Sequence, residues 1–257
     1  MSFLQRSANQ LYSRHKARLH QLSIVFPNRR QAVFFRHHFT QIAAPPAFMP
    51  QFFTIEELVQ LSCGQAIAEP LVQSFELYKA YKKVCLQEGE DELAVQDYEQ
   101  FYSIGETLLK DFREIDVYLA NIDEVCKVLY NIEAIEKAFD QLTDEQKEFL
   151  QRFWASVTNK GWAQEAFLKL WRRLPAIYKY FHEQLQEQNL ATLGRAYRQL
   201  ANEDFTNTAF GKSWSHIAFV GFNAFNKAEE ILLKRWQEDG MASFWFDIDK
   251  YYVDNRF

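Results

Sequence analysis

The sequence predicts an α/β protein: a parallel sheet built from both ends of the chain, with a large all-helical domain inserted between them. Two observations carry this reading. Short apolar runs alternate with helical patterns over residues 22–62 and again over residues 216–247, the signature of parallel strands joined by crossover helices. Between residue 70 and about residue 205 strand signals almost vanish, and apolar residues recur at helical spacing instead. The expected division is residues 1–66 plus 213–257 for the sheet domain and residues 67–212 for the helical insert.

Each element follows from local chemistry. Leu22-Ser-Ile-Val-Phe-Pro27 is a short apolar run stopped by proline, which suits a buried strand. Asn28 can cap the next helix, with Arg29 and Arg30 in its first turn. Val33, Phe34 and the pair His37 and His38 continue that helix, and residues 41–50 read as a Pro/Ala-rich loop. Pro50-Gln-Phe-Phe-Thr54 is a second strand, and Thr54-Ile-Glu-Glu57 is a capping box that opens another helix. In the insert, Leu71, Phe75, Tyr78, Tyr81 and Val84 or Cys85 form one apolar stripe. Tyr102, Leu108, Leu109, Phe112, Ile115 and Leu119 form a second. Both stripes are expected to face a helical core. A capping box at 143–146 leads into Phe149, Phe153 and Trp154, and residues 167–193 read as a long helix that Pro175 would kink. The strand signal returns at His216-Ile-Ala-Phe-Val-Gly221. A helix follows from about Asn226 to Gln237 and ends at Gly240, then Ala242-Ser-Phe-Trp-Phe-Asp247 gives a last strand. No helix signal follows to cover it, so the chain is expected to be a piece of a longer polypeptide.

Composition narrows the function classes. No apolar run approaches the roughly 18 residues a membrane helix needs, and the N-terminus lacks the apolar core of a secretory signal. A cytoplasmic protein without a membrane partner is expected. The three cysteines, Cys63, Cys85 and Cys126, match neither a disulfide framework nor a zinc spacing. Charge is distributed unevenly. The first 55 residues contain no Asp or Glu but hold seven Lys and Arg and four of the six His, while the remaining 202 carry a formal charge of −12. Such asymmetry points to a nucleic-acid surface, or to a basic helix docked on an acidic one.

Motifs for catalysis fail on inspection. Phe210-Gly-Lys-Ser213 imitates the end of a phosphate-binding loop, but Thr206 stands where glycine is needed, and the segment precedes a strand rather than following one. Strand 217–220 runs into Gly221-Phe222-Asn223, none of which is an anionic ligand for Mg²⁺. Glu145-Gln-Lys147 lies at a helix start, whereas a metal-dependent nuclease site would hold that pattern on a strand. Asp247 and Asp249 could bind a cation but read more simply as solvated charge at a strand exit. His37 and His38 face different sides of a helix, and no nucleophile constellation exists. No cofactor is therefore expected in this chain, with ATP and Mg²⁺ left to a partner or to missing domains. What remains is Asn28, Arg29 and Arg30 after one strand and Thr54 at the matching place after the next. In open parallel sheets ligands gather at the carboxyl ends of strands. Helix N-termini with Asn, Arg and Thr side chains suit contact with a phosphate backbone.

Three stretches carry a family resemblance. Ile24-Val-Phe-Pro-Asn-Arg-Arg30 resembles the conserved segment that follows the phosphate loop in superfamily 1 DNA helicases, and Pro50-Gln-Phe-Phe-Thr-Ile-Glu-Glu-Leu58 resembles the strand and helix after it. His216-Ile-Ala-Phe-Val-Gly-Phe-Asn-Ala-Phe225, with Ala228-Glu-Glu230, resembles the strand that carries the Mg²⁺ acid in active helicases. The nearest likeness is to AddB-like (RexB, RecC-like) subunits of helicase–nucleases, where Gly-Phe often replaces the acidic pair. Asp111-Phe-Arg-Glu-Ile-Asp116 is similar to that family too. The resemblance implies a degenerate P-loop-NTPase-like sheet, a role in DNA double-strand-break repair, and an AddA-like helicase–nuclease partner. It also implies a C-terminal PD-(D/E)XK nuclease domain in the parent protein, beyond this chain. The expected function is a catalytically inactive helicase-like module that contacts single-stranded DNA through Asn28, Arg29, Arg30 and Thr54 and docks a motor subunit. The alternatives are a protein–protein interaction module with a basic face and no DNA binding, and an enzyme using Asp247 and Asp249 with Mg²⁺.

Overall fold

The computed structural model describes residues 1–43, 48–92, 95–128, 162–203 and 214–247, with positions 143, 145, 148 and 152. The fold is mixed α/β and mostly helical, with a four-stranded parallel sheet. The chain forms two compact units, residues 1–67 with 193–257, and residues 68–192.

The first unit opens with α1 (Phe3–His15), which sequence reading did not anticipate although its signal was present. Ser2 Oγ accepts from the Gln5 amide at 3.3 Å, and Gln5 Oε1 accepts from the Ser2 amide at 2.9 Å, a capping box one residue from the start. A 3₁₀ segment, Lys16–Gln21, delivers the chain into β1 (Leu22–Phe26), which is buried at every position. Next come α2 (Arg29–Ile42), β2 (Gln51–Thr54), α3 (Ile55–Ser62) and the two-residue strand β3 (Ala66–Ile67). The second unit holds α4 (Pro70–Gln87), α5 (Tyr98–Val117), α6 (Ile122–Val128), α7 (Trp162–Glu187) and another two-residue strand, β4 (Leu190–Ala191). The chain then returns to the first unit through α8 (Leu193–Asn202), β5 (His216–Phe222), α9 (Lys227–Glu238) and β6 (Ala242–Phe246).

The sheet order is β2-β1-β5-β6, with every pair parallel. Ile24 stands opposite Phe52 on one side and Ala218 on the other, so the two ends of the chain share one sheet with β1 beside β5. From β1 the chain crosses to β2 in one direction, and from β5 it crosses to β6 in the other. The winding therefore reverses between β1 and β5. Both faces are covered. Leu22, Ile24, Phe26, Ala218 and Val220 pack on Ala8 and Leu11 of α1 and on Phe35 and Phe39 of α2. On the other face Phe219 stacks against Trp236 of α9 at 5.7 Å, and α8 packs on α3 and α9. Burial on both faces explains why the central strands read as unbroken apolar runs rather than alternating ones.

The helical unit is built around Leu77, Tyr81, Cys85, Phe101, Phe112, Ile177 and Phe181. Arg173 is buried and reaches Glu88 at 2.7 Å and Glu90 at 2.8 Å, while Lys169 also pairs with Glu90. Burial alone would raise the Glu90 carboxyl. The Arg173 and Lys169 hydrogen bonds outweigh it and hold the carboxyl down to about 2.

Four expectations need correction. The insert spans residues 68–192 rather than 67–212, because Ala196, Tyr197, Leu200 and Ala201 of α8 bury themselves within the sheet unit. It is not purely helical, since β4 lies at its end. Leu71 and Phe75 do not join the core: they are 63% and 43% exposed, whereas Tyr81, Val84 and Cys85 on the same stripe are buried. Tyr102 of the second stripe is likewise exposed. Pro175 lies within the span of α7. The phosphate-loop-like segment at 210–213, Asp249, and most of the stretch containing the capping box at 143–146 lie outside the described residues.

Candidate nucleic-acid interface

The carboxyl ends of β1 and β2 are each closed by a capped helix. Pro27 ends β1, Asn28 is extended (φ −154°, ψ 160°), and its Oδ1 accepts from the Gln31 amide at 3.0 Å. At the end of β2, Thr54 Oγ1 accepts from the Glu57 amide at 3.2 Å, and Glu57 Oε2 accepts from the Thr54 amide at 2.8 Å. An ion pair joins the two turns, with Arg29 Nη2 3.1 Å from Glu57 Oε1. The Thr54 backbone amide, then the Thr54 hydroxyl and the Arg29 charge, hold the Glu57 carboxyl below its ordinary range against the opposing effect of burial.

The structure thus brings Asn28, Arg29, Arg30 and Thr54 to one edge of the sheet but gives them unequal access. Asn28, Arg29 and Arg30 are exposed. Thr54 is buried, and its hydroxyl is committed to the cap, so it positions α3 rather than facing solvent. Arg29 remains 85% exposed despite its carboxylate partner. Among the described residues no acid pairs with Arg30.

The matching end of β5 is closed differently. Gly221 has φ +81°, and the Gln31 side chain lies against it, donating Nε2–H to the Gly221 carbonyl at 3.5 Å. A Cβ on Gly221 would stand 2.6 Å from Gln31 Oε1. Glycine is needed here for the left-handed backbone. Gln31 therefore bridges the β1 and β5 turns across the point where the winding reverses, which is where open α/β sheets hold their ligands. Phe222 is buried and stacks on Phe225 at 5.2 Å. An amide side chain and an aromatic pair thus close the carboxyl end of β5. Among the described residues no group of three or more His, Cys, Asp or Glu is placed to hold a metal ion. Asp247 follows the end of β6 and is exposed.

Sequence reasoning missed two features of α2. Gln31 gives no sequence signal, because its role depends on a glycine 190 positions later. The outer surface of α2 is the second. Phe35 and Phe39 are fully buried, while Val33 is 68% and Phe34 55% exposed beside Arg30, Arg36 and His37.

No family model matches the sequence, and no curated protein is significantly similar to it.

Among the described residues no helix is long and apolar enough to cross a membrane. The opposite, amino edge of the sheet carries a different cluster. His15 and His216 stack at 4.8 Å, and His216 Nε2 lies 2.6 Å from Ser243 Oγ. Burial, with a neighbouring Arg14 charge at His15 and the His15 charge at His216, keeps both imidazoles below their ordinary range.

Proposed function

We propose that this chain is a catalytically inactive, helicase-like module of a DNA double-strand-break repair helicase–nuclease. Its sheet unit contacts the backbone of single-stranded DNA, and the module docks an AddA-like motor subunit. The sheet is read as a degenerate P-loop-NTPase-like domain of the superfamily 1 helicase type, and the parallel order with one reversal beside β1 is compatible with that. The observation that carries the reading is the meeting, at the carboxyl edge of β1, of an exposed arginine pair, a helix N-terminus and a segment of 55 residues without an acid. Phosphates are attracted by the charge and the helix end together. The two units differ in the same sense. Residues 68–192 contain 23 acidic and 14 basic side chains, a formal charge of −9, and the sheet unit carries +4. A polyanion is drawn to the sheet unit and repelled by the helical unit. The Gln31 bridge and the Gly221-Phe222 turn support inactivity toward nucleotides.

The experiment is anisotropy of a short labelled oligonucleotide titrated with the protein, beside a calorimetric titration with Mg-ATP. DNA binding without ATP binding supports the proposal. A second reading, a protein–protein module without DNA binding, draws on the Arg29–Glu57 pair and on exposed Leu71, Phe75 and Tyr102 in the acidic unit. Absence of DNA binding at low salt would favour it.

A further inference from the structure

We propose that Phe34 is a base-stacking platform: a nucleobase of the bound strand lies on its exposed ring while Arg30 and His37 hold the adjoining phosphates. This rests on the DNA-contact reading above and adds to it a residue that meets bases rather than backbone. Helix α2 is divided sharply. Its inner side buries Phe35 and Phe39 completely, so the helix is firmly seated. Its outer side leaves Val33 and Phe34 largely in water, two neighbouring apolar groups that the fold does not use. A single exposed apolar residue is unremarkable. An exposed aromatic ring flanked by Arg30 and His37, on a helix with no acid in it, is a more specific arrangement.

Spacing gives the arrangement its direction. Arg30 precedes Phe34 by four residues and His37 follows it by three, so all three share one face of the helix. Cation, aromatic ring and a polar imidazole then follow one another along the axis at intervals of about 6 Å and about 4.5 Å. His37 is held in place by Gln41, whose Nε2 lies 3.1 Å from the imidazole Nε2. Arg30 has no acidic partner among the described residues, whereas Arg29 is engaged by Glu57. A single strand offers the complement, phosphates and flat bases in alternation, and stacking accepts any base because each has a π-face. An acidic peptide would match the charges but has no flat ring at each repeat. The exposed Phe75 of the other unit, stacked on Tyr98 at 4.4 Å, belongs to the unit of formal charge −9, where phosphate is disfavoured.

The test uses the full chain and two labelled probes of equal length, an oligodeoxythymidylate and its abasic counterpart, read by fluorescence anisotropy. The wild-type protein should bind the base-bearing strand more tightly. Phe34→Ala should weaken that strand by about fivefold or more and leave the abasic strand and the salt dependence unchanged. Phe34→Tyr should restore the preference, and melting curves should coincide because the ring is exposed. Equal affinity of Phe34→Ala and wild type for the thymidylate strand overturns the stacking role alone, provided that Arg29→Ala/Arg30→Ala still loses binding. Equal weakening on both strands also overturns it, because the loss would then not concern bases. If the wild-type protein binds neither strand, this inference and the DNA-contact reading fall together. If Phe34 proves necessary only for an acidic apolar competitor peptide, the surface belongs to a protein partner.

Discussion

Arg29 has two roles that separate under mutation. Its charge opposes the dipole of α2, costing a few tenths of a kcal/mol, while the exposed Glu57 pair returns about 0–1 kcal/mol. Replacing Arg29 and Arg30 together by alanine should therefore leave the melting temperature within a few degrees of wild type. The same double variant should lose much of its affinity for single-stranded DNA, similarly for different base sequences, since phosphate contacts carry no direct sequence information. A melting curve and an anisotropy titration on the same sample check both halves. Gly221 makes the opposite kind of prediction. Alanine there meets φ +81° and a Gln31 oxygen 2.6 Å away. The glutamine end can swing aside, but the backbone strain stays, so Gly221→Ala should lose roughly 1–2 kcal/mol of stability, measured by urea unfolding. Gln31→Ala in the same background should not recover the loss.

At the scale of elements, the amino edge of the sheet should respond to acid. His15 and His216 are both held below their ordinary range by burial, so the unfolded chain binds protons more readily than the folded one. Stability from this pair is present above the ordinary histidine value of about 6.5 and falls as pH drops from there into the acid range. Thermal unfolding across that interval should show a falling melting temperature, and His216→Asn should flatten the dependence. Elements also show what the sequence could and could not reveal. Strands at 22–26, 51–54, 216–222 and 242–246 were legible because they are short apolar runs punctuated by Pro, Thr or Gly, the central two buried almost throughout. The caps at Asn28 and Thr54 were legible because capping is local chemistry. Helix α1 carried its own capping box but a weak apolar pattern, with only Ser7, Ala8 and Leu11 buried. The exposure of Leu71 and Phe75 could not be read, since periodicity marks a face and not how far along it the core extends. Helix α8 likewise shows an apolar face, but nothing in its ten residues names α3 and α9 as the neighbours.

On the scale of the whole molecule, the proposed DNA contact draws on charge and topology together. The sheet unit is positive, the helical unit strongly negative, and the winding reversal lies beside the arginine-bearing turn. The same reversal is bridged by Gln31, so calorimetric titration with Mg-ATP should give no heat of binding. Micromolar affinity lost on Lys212→Ala would contradict that expectation. The most direct test of the central claim is the salt dependence of single-strand binding, measured by anisotropy between low and moderate salt. The log of the association constant should fall linearly with the log of salt concentration by about 0.7 for each phosphate contacted, and Arg29→Ala/Arg30→Ala should make the slope shallower. No binding at low salt, an affinity that salt does not change, or a slope that the double substitution leaves as it is in the wild type, would contradict the account.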